Sequence, residues 1–371
     1  MKIAMFGIKG VPVPAGVENV VEEIGSRLVQ RGHQVTVYVR PHYTPPSLKE
    51  YKGMKLVHLP SIPTKHLDAI THSFLACLAA LASDADIIHI HAIGNSIFAG
   101  LPRLFGKKTV VQSHGLDWQR AKWGRLAKLY LRMTDYTSIY FPNATTVVSQ
   151  KTQHYYQDKF HRPVVFIPNG VSPVQKVAPS EILQYGLQGN DYLFFAARLV
   201  PEKGCHYLIE AYQKLGQTDK KLVIAGDGVF GDAYAERLKR YASDRILFLG
   251  FVQGRLLEEL LSNAYVYVLP SEIEGLSVGL LEAMSYGNCV LVSNIEENLE
   301  AIGSAGLSFQ STSSADLATA LGVLTKENTV VEQYRSQAQQ AVLEMYNWDQ
   351  VTDQYEALYL ALTLPPPSRP E

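Results

Sequence analysis

The sequence predicts an α/β protein built from two doubly wound, Rossmann-like parallel-sheet domains. Three observations predict it. Short β-branched runs alternate with helical patterns through both halves of the chain, as parallel sheets covered by helices on both faces require. A Pro-Asn-Gly segment at residues 167–173 interrupts that alternation near the middle. The 371 residues, 47% hydrophobic and 19% charged, suffice for two full-sized cores.

Taken in order, strands are expected at residues 2–6, 35–39, 55–59, 87–91, 109–113, 145–149 and 164–167. A second series is expected at 192–196, 221–225, 246–249, 265–269 and 289–292. Val17, Val20, Val21, Ile24 and Leu28 repeat at helical spacing, and Gly32 closes that helix. The first domain is expected over 1–170 and the second over 171–345. Beyond residue 309 only helix is expected. The last helix, 346–363, carries Trp348, Tyr355, Leu358 and Tyr359 and is expected to cross back onto the first domain; the alternative is an ordinary terminal helix of the second. The Pro-rich stretch 364–371 is expected to be disordered.

A net charge of −1 supplies no general field for nucleic acid, so no nucleic-acid partner is expected. Cys77, Cys205 and Cys289 have no metal or redox spacing and sit among apolar residues. Buried free thiols, and with them a reducing, cytoplasmic compartment, are the expectation. Residues 1–7 carry one charged side chain and a short apolar run, which reads as a first strand rather than a signal peptide. The longest apolar stretch, 74–82, stops at Ser83 and Asp84 and is too short to span a bilayer.

The most informative stretch runs from Ser271 to Ala283, after a buried-strand pattern. Glu274 falls beside an expected helix N-terminus, where free N–H groups and the dipole attract anions. Glu282 follows eight positions later. Read as continuous helix, this spacing separates the two by about 12 Å, comparable to the span from a sugar ring across a diphosphate to a ribose. The residues therefore imply a nucleotide-sugar site. The paired oxygens of Glu282 suit two ribose hydroxyls, and its apolar neighbours make an unpartnered carboxylate costly. Glu274 suits hydroxyls of the sugar, with the N–H groups of Gly275, Leu276 and Ser277 directed at sugar or phosphate; an acid that only complements the helix dipole would occupy the same position. Arg198 and Lys203 lie between a strand and a helix that starts near Gly204, an arrangement that grips a diphosphate, or else they are two solvated surface charges. Gly16 ends the loop 7–16, where backbone either approaches a phosphate or simply turns. His114 stands at the carboxyl end of the 109–113 strand, the end at which open α/β sheets bind ligands.

Glu274-Gly275-Leu276-Ser277 with Glu282-Ala283 resembles the paired-glutamate signature of glycosyltransferase family 4. The similarity extends, in the family's order, through Gly7 with Gly16, His114-Gly115, the Pro168–Val171 joint, the Arg198–Gly204 run and Ala225-Gly226-Asp227-Gly228. It implies a retaining hexosyltransferase of GT-B architecture, of the bacterial polysaccharide or glycolipid type. The donor it implies is a nucleotide diphosphate sugar, UDP-glucose first and GDP-mannose next. The acceptor it implies is a glycan or a lipid-linked glycan. Arg198 and Lys203 would hold the donor phosphates, and Val252, in Gly250-Phe251-Val252, would lie near the base. His114 would rest against the reacting sugar, touching a hydroxyl and offering its backbone carbonyl to developing positive charge; Glu274 joins it as the second catalytic residue. No enzymic base is assigned, because in this family the acceptor proton is thought to pass to the leaving phosphate. No metal and no cofactor are required, since Arg198, Lys203 and helix N-termini supply the positive charge. The chain has Ala15-Gly16 where the family often has two adjacent glycines. Two alternatives stand beside this reading: a nucleotide-sugar epimerase of the same architecture, and a non-catalytic sugar-nucleotide binding protein.

Three other patterns lead elsewhere. Residues 226–231 match a dinucleotide fingerprint, but they follow the second strand of their domain and no ribose-binding acid ends the next strand. Asp84-Ala85-Asp86 precedes its strand, so capping or turn chemistry is expected rather than metal binding. His89 and His91 share one face of a strand and, without a third ligand nearby, are expected to pack. Finally, residues 118–133 read as a helix with Trp123, Leu126, Leu129, Tyr130 and Met133 on one face and Arg125, Lys128 and Arg132 on another. Such a helix either lies on an anionic membrane at the inner face of the plasma membrane, or binds a lipid-linked diphosphate, or packs its apolar face in the core and leaves its basic face solvated.

Overall fold

The structure is a computed structural model that describes residues 1–64, 67–119, 124–228 and 233–364. The chain opens with β1 (Lys2–Phe6), α1 (Gly16–Gln30), β2 (Gln34–Val39), β3 (Glu50–Tyr51), β4 (Met54–His58), α2 (Leu67–Ala82) and β5 (Ile87–His91). It continues with α3 (Gly100–Leu104), β6 (Lys108–Ser113), α4 (Arg125–Tyr140), β7 (Ala144–Val147), α5 (Gln150–Phe160) and β8 (Val165–Phe166). The second series is β9 (Tyr192–Ala196), α6 (Cys205–Lys214), β10 (Lys221–Ala225), α7 (Ala233–Lys239), β11 (Ile246–Gly250), α8 (Gly254–Asn263) and β12 (Val266–Leu269). It ends with α9 (Val278–Ser285), β13 (Cys289–Ser293), α10 (Glu296–Ile302), β14 (Leu307–Phe309), α11 (Ser314–Leu324), α12 (Asn328–Met345) and α13 (Trp348–Thr363).

These elements form two units, Met1–Gly170 with the segment from Trp348 onward, and Val171–Asn347. The first unit holds an eight-stranded sheet in the order β3-β4-β2-β1-β5-β6-β7-β8, parallel except for β3 against β4. The second holds a six-stranded, wholly parallel sheet in the order β11-β10-β9-β12-β13-β14. Buried strands such as β10 and β13 have almost no solvent face, which explains their apolar runs Leu222–Ala225 and Cys289–Val292. Two strands are absent from the sequence expectation. β3 has two residues and β14 three, too few for a period-two pattern to register.

In the first unit α13 packs on α1. Trp348, Val351, Tyr355 and Tyr359 join Ile3, Met5, Val21 and Ile24 in one core. Each such buried side chain stabilises the unit by about 1.5–3 kcal/mol. The hinge-like Pro168-Asn169-Gly170-Val171 segment has a steric reason for its glycine. A Cβ on Gly170 would lie 2.6 Å from Trp348 Cδ2 and 2.9 Å from its Cα. Asp86 accepts the Lys2 backbone N–H at 2.8 Å, and Asp84 pairs with the Lys2 ammonium, so both acids tie down strand starts. The three cysteines are buried, and burial pushes the Cys77 thiol up to about 11.

Gly170→Ala should therefore destabilise the first unit by about 1–3 kcal/mol, because Trp348 must shift at its backbone; urea unfolding followed by tryptophan fluorescence reads this, and an unchanged midpoint would contradict the packing. A second expectation concerns acid. Burial, with the Arg40 guanidinium adding, holds His72 at about 4, and burial holds His89 at about 3, against a usual 6.5. The unfolded chain then binds more protons below 6.5, so the stability these groups lend is full above that value and falls as pH drops toward 4. His72 alone accounts for up to about 3 kcal/mol of that loss. Denaturant unfolding between about pH 7 and 4 should show a shallower decline in His72→Leu; an identical decline would remove His72 as a source.

Candidate active site

Open α/β sheets bind ligands outside the carboxyl ends of their strands, where the strand order reverses. In the second unit the reversal lies between β9 and β12, since β10 follows β9 on one side and β12 flanks it on the other. The pairing of these two strands covers only Val266 with Leu193 and Tyr267 with Phe194. Beyond that point they separate, and the loops after them carry Arg198 and Lys203 on one side and Glu274 on the other.

Three contacts fix those loops together. Lys203 and Glu274 form an ion pair, with their side chains 17% and 8% exposed. The Glu272 backbone N–H donates to Glu202 O at 2.9 Å, and the Tyr207 hydroxyl donates to Glu272 at 3.1 Å. Gly204 has a positive φ of 68°, and a Cβ there would stand 1.9 Å from Pro270 O, so only glycine permits the approach. Arg198 is exposed and forms no ion pair among the described residues.

The helix after Glu274 starts later than the sequence suggests. α9 begins at Val278, with the Ser277 side chain accepting from Leu280 N as its cap. The first backbone N–H groups to find acceptors in it are those of Leu280 and Leu281, both on Ser277 O. The open N–H groups of the helix itself are thus those of Val278 and Gly279, and Gly275, Leu276 and Ser277 stand in the turn just before it. Glu282 is the fifth residue of this helix, so the separation of the two glutamates is not two continuous turns, and the 12 Å expectation does not apply. What the sequence missed is Tyr267. It is fully buried; its hydroxyl donates to Ala196 O at 3.2 Å. Burial raises its phenol well above the usual range, and the charges of Glu274 and Glu282 raise it further. A Cβ on Gly279 would lie 3.3 Å from the same hydroxyl. A tyrosine in an otherwise aliphatic buried strand was the signal available.

Val252 is partly buried two residues past β11, an edge strand of this sheet. Gly226 N donates to Gly250 O at 2.6 Å beside it. Asp227 accepts from Gly228 N and pairs with Lys239 at 3.1 Å, so the fingerprint-like loop is tied up locally; residues 229–231 lie outside the described residues.

In the first unit the reversal lies between β1 and β5. Gly7 follows β1 with φ 98°, and a Cβ there would meet His91 O at 2.2 Å. Gly16 is the exposed first residue of α1, with open space around it. Nothing steric demands glycine at that position. Lys9 N donates to Glu18 at 3.0 Å across the loop. His114 follows β6 half-buried, its ring stacked on His91 at 5.8 Å between centroids. His91 in turn lies 4.2 Å from His89, whose Nδ1 shares a 2.7 Å hydrogen bond with the Tyr359 hydroxyl. The two strand histidines therefore pack, in a column that ends at His114. Trp123 lies outside the described residues; Arg125 and Arg132 are exposed on α4 and Lys128 is partly buried there.

Residues 14–175 match the family model Glycosyltransferase Family 4, and residues 183–341 match Glycosyl transferases group 1. The chain belongs to glycosyltransferase family 4. Its fold is GT-B. The glycosyltransferase is 27% identical to an uncharacterized glycosyltransferase of Methanocaldococcus jannaschii, over 97% of this chain and 98% of that one. It is 26% identical to the phosphatidyl-myo-inositol mannosyltransferase of Mycolicibacterium smegmatis, over 97% and 93% of the two chains. Among solved structures it resembles Anabaena HepE in complex with UDP and glucose, with a TM-score of 0.81, 19% identity, and coverage of 97% and 100%.

Lys203 and Glu274 are both mostly shielded from solvent, so their pairing should be measurable in the glycosyltransferase by itself. A double-mutant cycle with Lys203→Met and Glu274→Gln is expected to give a coupling of about 1–3 kcal/mol in denaturant unfolding of the second unit. Additive effects would mean the two do not pair.

Proposed function

We propose that this glycosyltransferase transfers a hexose, with retention, from a UDP-sugar to a hydroxyl of a lipid-linked or polysaccharide acceptor. The observation that carries the reading is the Lys203–Glu274 ion pair at the parting of β9 and β12, with Arg198 in the loop that follows β9 and Glu282 on the helix that follows β12. The complex of HepE with UDP and glucose supports a uridine donor and makes UDP-glucose the first candidate. The name of the mycobacterial relative, a phosphatidyl-myo-inositol mannosyltransferase, supports a lipid acceptor and keeps GDP-mannose as the next donor.

In this proposal Arg198 grips the diphosphate and Lys203 adds a point charge. The diphosphate competes with Glu274 for the Lys203 ammonium, which frees the Glu274 carboxylate for a hydroxyl of the hexose. Glu282 accepts from both ribose hydroxyls, and Val252 lies against the base. The N–H groups of Gly275, Leu276 and Ser277, in the turn that opens α9, face the sugar or phosphate beside the positive end of the helix. Gly16 brings backbone close to the ligand where no side chain requires the space. His114 contacts a hydroxyl of the reacting sugar and lends its backbone carbonyl to the positive charge that develops at the anomeric carbon. The bond from that carbon to the leaving diphosphate oxygen breaks. The acceptor oxygen bonds to the same face, and its proton passes to the departing phosphate. No side chain acts as base, and Arg198, Lys203 and the α9 N-terminus carry the charge a metal would otherwise balance.

Glu282→Ala should raise the UDP dissociation constant about 10- to 100-fold, the worth of hydrogen bonds to a charged group. Glu274→Ala should leave UDP affinity within a few-fold and reduce transfer by about 100-fold or more. Calorimetric titration with UDP, GDP and ADP, followed by turnover of the matching sugar nucleotides with and without a lipid extract, checks both. Acceptor-dependent UDP release is the expected result. Conversion of the donor without acceptor, or wild-type affinity in Glu282→Ala, would refute the assignment.

A further inference from the structure

Helix α4 has its amphipathicity reversed. The face turned into the first unit consists of Leu131, Thr134, Asp135 and Ser138, at helical spacing. Hydroxyls hold it in place: Ser96 donates to Thr134 O at 3.1 Å and bonds the Thr137 hydroxyl at 2.5 Å. Tyr130 donates to Gly94 O at 2.7 Å. The stripe turned outward is Leu126, Leu129, Met133, Tyr136 and Tyr140, with Leu126 86% and Leu129 67% exposed. The apolar face is therefore not in the core, which removes the core-packed reading of this helix.

The neighbouring helix extends the same surface. Arg103 of α3 donates to the carbonyls of Tyr140, Phe141 and Pro142, which fixes α3 beside the end of α4. Leu104 and Phe105 there are 84% and 69% exposed. On α2, exposed Phe74 packs near Phe98 and borders an almost wholly apolar groove of about 570 Å³ together with Ile62, Ile70 and Leu75. Of the 23 large apolar side chains exposed among the described residues, 13 fall between residues 62 and 141. That concentration exceeds the scatter normal for a soluble surface.

Charge selects the occupant. Residues 87–134 contain eight Lys and Arg (Arg103, Lys107, Lys108, Arg120, Lys122, Arg125, Lys128 and Arg132) and one acid, Asp117, in a chain whose net charge is −1. On α4 itself exposed Arg125 and Arg132 and half-buried Lys128 accompany the exposed leucines, methionine and tyrosines, a combination that matches the acyl boundary and headgroup layer of an anionic bilayer. We infer that the α3–α4 face of the first unit is a membrane-docking surface for anionic phospholipid. No helix among the described residues is long and apolar enough to cross a membrane, so the contact lies in the interface. The inference deepens the proposed function by stating where a lipid-borne acceptor is met, and it rests on that reading for the reaction served.

Vesicle flotation of the full chain tests it, with phosphatidylcholine vesicles alone and with about a third phosphatidylglycerol. The wild type should bind the anionic vesicles at least ~10-fold better, at roughly a factor of five per basic side chain at the surface. Leu126→Ser/Leu129→Ser and Arg125→Glu/Lys128→Glu should each lose about 10-fold or more, with circular dichroism and UDP affinity unchanged, since UDP is assigned to the second unit. Equal binding to both vesicle types, no binding to either, or retention in both variants would overturn the inference. So would a concentration-dependent dimer in light scattering that the leucine variant abolishes without any flotation, because the face would then join two copies. Failure of UDP to bind any form of the chain would sink the donor reading while leaving the flotation result to decide the membrane.

Discussion

Backbone pairing between β9 and β12 ends at Phe194 and Tyr267, although the strands run on to Ala196 and Leu269. The gap is the constraint on which the second unit's site depends. It leaves the Ala196 carbonyl without a strand partner on that side, and the Tyr267 hydroxyl fills the place at 3.2 Å. It also brings two loops face to face, close enough that Gly204 can carry no Cβ against Pro270. Once the loops are that close, Lys203 and Glu274 meet as an ion pair largely out of water, and neither can be removed without leaving a poorly solvated charge. A carboxylate and an ammonium held this way are poised for exchange. Under the proposed function the donor diphosphate takes the ammonium, and the acid is then directed to hydroxyls of the hexose.

The first unit meets the corresponding requirement by a different route. Its strand reversal lies between β1 and β5, where Gly7 admits the His91 carbonyl at a distance no side chain would allow. Behind that contact stands a column of imidazoles, His89, His91 and His114, the first fixed by Tyr359 of α13. The last helix of the chain thus buttresses the base of the column whose other end is the half-buried candidate catalytic histidine. Burial keeps His89 and His91 neutral, so the column presents shape and polarisability to His114 rather than charge.

Most of the fold was legible because parallel strands buried on both faces leave continuous apolar runs, and the longer ones, such as β9, β10 and β13, lie where those runs are. β3 and β14 escaped because two or three residues carry no period. The candidate site was legible at the level of residue type. Arg198, Lys203, Glu274 and Glu282 each stand beside a strand end or a helix start in the linear sequence. Its geometry was not, because it depends on where α9 begins. Ser277 can serve as a cap or as a first-turn residue, and only the hydrogen bond from Leu280 decides between them. Tyr267 was illegible for a related reason: a tyrosine in a buried strand looks like core until its hydroxyl is placed between the Ala196 carbonyl and Gly279.

Helix α4 shows the limit from the opposite side. Periodicity placed Leu126, Leu129 and Met133 on one face, though Tyr130, expected with them, turns in to Gly94, and it gave no direction for that face, because a 3.6-residue repeat is the same whether the stripe faces a core or a bilayer. The polar residues settle the matter. Ser96 donates to Thr134 O and bonds the Thr137 hydroxyl, and Thr145 donates to Ser138 O, and these bonds from outside the helix fix its rotation about its axis. Asp135 is held by Tyr155, Tyr156 and Lys159 and cannot turn outward without abandoning all three. With the buried face locked by hydroxyls and a carboxylate, Leu126, Leu129 and Met133 have no route inward. Burying them requires a surface brought from outside the unit, and Arg125, Lys128 and Arg132 on the same helix favour one that carries negative charge.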